Sequence, residues 1–118
     1  MLILIIGSAP DAIEAQSLEE ALFQRIVTIN NAWNIRNDWD FCIFPDDFPD
    51  NRRPTGNKAQ KLIRSEQYVP IQNKYGGFVY SGGTMAFTAG YWALGHFKPK
   101  AIAYIGCDMI YDGEDTHF

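Results

Sequence analysis

Five short apolar runs punctuate the chain: LILII (2–6), RIVTI (25–29), DFCIF (40–44), GGFVY (76–80) and AIAYI (101–105). Each ends in Gly, Asn, Pro or Ser, which reads as a strand with loop chemistry at its C-terminal end. The first run carries no polar position, the pattern of a strand covered on both faces in a parallel sheet. Between the runs lie helical candidates. Ser17-Leu18-Glu19-Glu20 fits a capping box and predicts a short helix to about Gln24. Lys58 to Glu66 predicts another. Thr84 to His96 is the clearest, because Met85, Thr88, Ala89 and Trp92 share one face and Gly95 stands where a C-cap is wanted. Strands alternating with helices predict an α/β domain built on a parallel sheet in three layers.

The segment PDDFPDNRRPTGN (45–57) breaks the pattern with three prolines, acids and arginines. It reads either as a solvated surface loop or as a functional loop at a strand end. Four large rings, Trp33, Trp39, Tyr91 and Trp92, are many for a domain of this size; they predict exposed aromatic surface and a homo-oligomer.

Composition narrows the classes. The 118 residues suit one domain, 1–118, and 47% hydrophobic residues allow a real core. A net charge of −4 and a pI near 5.0 argue against a nucleic-acid partner, which wants a basic face. Cys42 and Cys107 sit in or just after an apolar run and read as reduced, buried thiols; their spacing suggests neither a zinc site nor a redox motif. The apolar N-terminus stops at Gly7 and is too short for a signal peptide or a membrane span, so a cytoplasmic location is expected.

Open α/β sheets bind ligands beyond the carboxyl ends of their strands. The residues there are Gly7-Ser8-Ala9-Pro10, Asn30-Asn31, Pro45-Asp46-Asp47, Ser81-Gly82-Gly83-Thr84 and Gly106-Cys107-Asp108. Gly7–Pro10 lacks the glycines of a dinucleotide fingerprint and the lysine of a Walker loop. Ser81–Thr84 is stronger: two glycines admit a ligand to the N–H groups of the next helix, or the serine and threonine simply cap it. Asn30 and Asn31 suit a base or a ribose, or a turn. Asp108 suits a sugar hydroxyl or a loop cap. Asp46 and Asp47, or Asp112, Glu114 and Asp115, offer oxygen ligands for Mg²⁺ or a solvated acidic loop. His96 sits where it can interact with a helix C-terminus, and His117 is a candidate general base near a mobile end.

The order G-S-A-P, I-N-N, Y-S-G-G-T-M-A-F-T-A-G-Y-W-A-L-G and I-G-C-D-M-I-Y resembles the bacterial sialyltransferase-like group. Related Rossmann-like proteins share the skeleton, among them archaeal pterin diphosphokinase-like and flagellin-glycosylation accessory proteins. The resemblance spans nearly the whole chain through four short motifs. It implies a Rossmann-like parallel sheet of about five strands and a cytidine monophosphate sugar donor. Gly7, Ser8, Ala9 and Pro10 would lie by the donor phosphate and ribose, and Asn30 or Asn31 would contact the nucleotide. Ser81, Gly82, Gly83 and Thr84 would hold cytosine, ribose or phosphate, and Asp108 would mark the far side. Such enzymes transfer the sugar with inversion, without a metal, using a histidine base; tyrosines help the phosphate leave. Two departures stand out. Ala9 replaces the usual Gly or Asn, and the family's histidine lies well beyond the Gly-Cys-Asp motif, where this chain offers only His117. The ending DGEDTHF reads as cut off, which predicts a donor-binding portion of a longer protein.

Two rivals remain. A phosphoryl or diphosphoryl transferase on the same skeleton would use Asp46, Asp47 or Asp108 with Mg²⁺. A non-catalytic nucleotide-binding or assembly module would keep the pocket and lack the chemistry.

Overall fold

Strands β1 (Leu2–Ile6), β2 (Arg25–Ile29), β3 (Phe41–Ile43), β4 (Lys61–Ile63) and β5 (Ala101–Ile105) form one sheet in a computed structural model that describes residues 1–55, 60–74 and 85–107. All pairings are parallel and the order is β4-β3-β2-β1-β5. The chain therefore walks from β1 to β4 in one direction and then returns to the far side of β1. Parallel crossovers are right-handed, so a reversal of direction moves the connection to the opposite face of the sheet. The two faces differ accordingly. Connections from β1 to β4 cover one face with 3-10 helices, Pro10–Ser17 and Asn30–Asn34. The β4-to-β5 connection covers the other with α1 (Ser65–Lys74) and α2 (Met85–Phe97). This is a Rossmann-like three-layer α/β fold.

Each strand feeds both layers, because alternate side chains point to opposite faces. Leu4, Ile6, Ile26, Cys42 and Phe44 pack with Ala12, Ala15 and Ala32 under the 3-10 layer. Ile3, Ile5, Val27, Ile29, Ile43 and Ile63 pack with Tyr68, Ala89, Trp92 and Ala93 under the α layer. The double coverage expected of LILII is observed: Ile3 to Ile6 are almost wholly buried. The expected helix face is observed too, with Thr88, Ala89 and Trp92 buried and Met85 against the same cluster. Between the two helices, the buried Thr88 hydroxyl donates to Gln72 Oε1 at 3.2 Å.

Three expectations are corrected. The helix expected over Lys58–Glu66 is instead a strand followed by a helix. Lys61–Ile63 add to the sheet beside β3, and α1 starts only at Ser65. Gln60 anchors that strand by donating to the carbonyls of Asn37 and Trp39, both at 2.9 Å. Gln67 Oε1 accepts from the Arg64 N–H and fixes where the helix begins. The capping box at Ser17 forms no α-helix either. Ser17 ends a 3-10 helix opened by Pro10, its hydroxyl donates to the Glu14 carbonyl, and Leu18 is extended. Only a short 3-10 turn, Glu20–Leu22, follows before β2. Finally, Trp39 and Trp92 are core residues, 4% and 2% exposed, so the rings offered as a reason for self-association are half of them interior. The expected strand at 76–80 lies outside the described residues. No helix among the described residues is long and apolar enough to cross a membrane.

Candidate functional site

β1 lies between β2 and β5, so the direction reversal opens at its carboxyl end, where open α/β sheets bind their ligands. Ile105, Ile6, Thr28, Cys42 and Leu62 are level across the sheet. Two places further along each chain come Cys107, Ser8, Asn30, Phe44 and Arg64. Strand spacing sets this row at roughly 20 Å from end to end.

Gly7 and Gly106 are joined to each other. The Gly7 N–H donates to the Ile105 carbonyl at 2.8 Å, and the Ala9 N–H donates to the Gly106 carbonyl at 2.9 Å. A Cβ on Gly7 would collide with the Gly106 carbonyl oxygen and lie 2.8 Å from Cys107 Sγ. Gly106 has φ +71 and would press a Cβ into Ala12. Here the glycines let two chain segments approach, and two N–H groups expected to face an anion are bonded within the protein. Gly7 and Ala9 are buried, Pro10 has no N–H, and Ser8 is the half-buried polar residue of that turn.

Asn30 is the second feature. Its backbone is left-handed, with φ 53, a conformation asparagine tolerates better than most residues. Its carbonyl accepts from the Cys42 thiol at 3.6 Å, and burial pushes that thiol up to about 12. Its side-chain Oδ1 is buried with no hydrogen-bond partner among the described residues. An unmet buried acceptor costs about 1–3 kcal/mol. Asn31 stands beside it at the start of the same 3-10 helix.

The β3 end is built differently. The Ser65 hydroxyl donates to Asp46 Oδ1 at 2.7 Å, joining the β3 loop to the start of α1. Arg53 lies over the Phe44 ring at 4.7 Å, donates to the Phe48 carbonyl at 3.0 Å and pairs with Asp50. Burial, with the nearby charges of Asp46, Asp47 and Glu66, raises the Tyr68 hydroxyl above its ordinary value. Among the described residues no group of three His, Cys, Asp or Glu side chains could hold a metal ion. Asp46 and Asp47 are exposed loop residues there.

Beyond the Asn30–Asn34 helix is an open hollow of about 570 Å³, lined by Asn31, Trp33, Asn34, Ile35, Asn51 and Arg52. Sequence reasoning missed it. Its signals were the tryptophan within NNAWN and the irregular 45–57 segment, which lie far apart in the chain. The Trp33 indole N–H donates to the Arg52 carbonyl at 2.8 Å and closes the two walls together.

Ser8, Asn30 and Cys107 thus stand in one row beyond the carboxyl ends of β1, β2 and β5, with Asn31 beside Asn30. Ser81, Gly82, Gly83, Thr84, Asp108 and His117 lie outside the described residues, as do Asp112, Glu114 and Asp115. No family model, curated protein or solved structure matches the chain.

Proposed function

We propose that this chain is the nucleotide-sugar-binding domain of a sialyltransferase-like glycosyltransferase, taking a cytidine monophosphate type of donor at the strand-end crevice. The observation that carries the reading is Asn30 Oδ1, a buried acceptor without a partner among the described residues, beside the direction reversal of the sheet. A donor on the ligand, such as the exocyclic amine of cytosine or a ribose hydroxyl, completes it. Ser8, one strand over, offers a hydroxyl to the phosphate or ribose. The domain's share of catalysis is orientation of the donor against an acceptor hydroxyl.

Calorimetric titration with cytidine monophosphate, with and without Mg²⁺, beside the guanosine and adenosine monophosphates, tests this. Metal-independent binding selective for the cytidine compound is expected. Half-buried Cys107 supplies a second readout, since buried Cys42 does not compete for alkylation. Bound nucleotide should slow Cys107 alkylation. Asn30→Gly removes the orphaned acceptor and suits the left-handed backbone, so it should weaken binding without loss of stability. A requirement for Mg²⁺ or a purine preference would replace this reading with phosphoryl transfer. No binding at all would leave a scaffold.

A further inference from the structure

We infer that the hollow between the Asn30–Asn34 helix and the 3-10 helix Asp50–Arg52 is a carbohydrate subsite, taking one or two neutral sugar residues. The inference deepens the proposed function, and rests on it only in making that sugar the acceptor. The lining itself argues for a sugar. Ile35 is 6% exposed and supplies an apolar base, and the Trp33 indole is fixed by its bond to the Arg52 carbonyl. A sugar ring presents C–H faces of that character. Around them stand Asn31, Asn34 and Asn51, whose amides each combine two N–H donors with a carbonyl acceptor. Hydroxyl groups both donate and accept, so amides match them where a one-way donor or acceptor would not. Asn34 is held by donating to the Asn31 carbonyl at 3.0 Å, so part of this rim is pre-set. Arg52 adds donors from an exposed side chain, and no carboxylate is among the described lining residues. The volume falls within the range of small-ligand sites, and the open mouth suits a sugar carried on a larger glycan. Asn31 directly follows Asn30, so the hollow adjoins the crevice along the chain.

The test is titration of ¹⁵N-labelled protein with maltotriose, lactose and chitotriose in turn, read on the indole N–H resonances. Trp39 and Trp92 are buried, so they serve as internal controls for Trp33. At least one sugar should move the Trp33 resonance alone and saturate with a Kd of about 1 mM or below. Asn51→Ala and Arg52→Gln should each weaken that binding about fivefold, the worth of one hydrogen bond, with Tm unchanged. Absence of a Trp33 shift with all three sugars would overturn the inference. So would a Trp33 shift produced by cytidine and not by any sugar. Cytidine monophosphate binding is read separately at Cys107, so the two readings fail independently. Sugar at Trp33 without nucleotide at Cys107 keeps the hollow and removes the nucleotide reading.

Discussion

The two faces of the sheet are covered by different means. On one face, α1 and α2 lay down large side chains: Trp92 meets Phe41 at 5.0 Å and Phe97 at 5.6 Å, and His96 stacks on it at 4.9 Å. On the other, 3-10 helices bring Ala12, Ala15 and Ala32 against the strands, with Trp39, Phe44 and Phe48 filling the space toward β3. A 3-10 helix eclipses residues three apart and is short, so it cannot present a broad apolar stripe. Small side chains let it approach the sheet closely instead. It then leaves polar groups near the strand ends, and this is the layer that carries Asn31, Trp33 and Asn34. Both faces bury a large apolar cluster, but the 3-10 layer also positions the candidate ligand groups. The cleanest way to break this contrast is to remove one ring from each side. Trp92→Ala should cost about 3–5 kcal/mol of unfolding free energy in urea. Trp33→Ala, at a half-buried residue of the 3-10 side, should cost clearly less. Equal losses would show that Trp33 is packed as tightly as Trp92, and that the 3-10 layer leaves no open site beside it.

A smaller effect is expected where the two layers meet at the end of β1. Gly7→Ala places a methyl group against the Gly106 carbonyl and Cys107 Sγ, which are backbone and short side chain with little room to give. Overpacking of this kind costs about 1–3 kcal/mol. The Gly7–Ile105 and Ala9–Gly106 hydrogen bonds should loosen with it, so Cys107 should alkylate faster in the variant than in the parent. Unchanged stability and labelling would mean that the two segments have slack, and that the 3-10 layer is not pinned at the sheet's turning point.

The strands were legible where burial is two-sided, because an unbroken Ile/Leu run has few alternatives. β4 was not, because three residues are too few to show a period. Its place depends on Gln60 reaching back to Asn37 and Trp39, which are distant in sequence. The 3-10 layer was not legible for a related reason. Ser17 and Glu20 satisfy a capping rule locally, yet Arg36 claims the Ala15 and Leu18 carbonyls, at 2.8 and 3.0 Å, from twenty residues away. At the site, Asn30 stood out as a residue type, but its orphaned oxygen and left-handed backbone are tertiary facts. Gly7 looked like a ligand approach and serves a chain approach, a distinction that needs the fifth strand in place.

The smallest effect concerns that Arg36. Its guanidinium pairs with both oxygens of Asp38, at 2.5 and 2.6 Å, while its remaining nitrogen holds the end of the Pro10–Ser17 helix. The hydrogen bond from Arg36 lowers the Asp38 carboxyl below its ordinary value of 3.8, opposed in part by burial. A folded-state value below the unfolded one means the charged form is favoured by folding. The contribution is therefore full above about pH 4 and is lost as pH falls through the lowered folded value. The pair is partly exposed and screened, so it is worth under about 1 kcal/mol. Unfolding free energy of the parent should fall more steeply below about pH 4 than that of Asp38→Asn, with the two curves running parallel above it. Because Arg36 is freed from its partner on the 3-10 side alone, amide protection in residues 10–18, taken relative to the intrinsic exchange rate at each pH, should fall on acidification before protection in α2 does. Simultaneous loosening of both layers would mean that the 3-10 face unfolds only with the whole sheet, and that its independence in building the site does not extend to its stability.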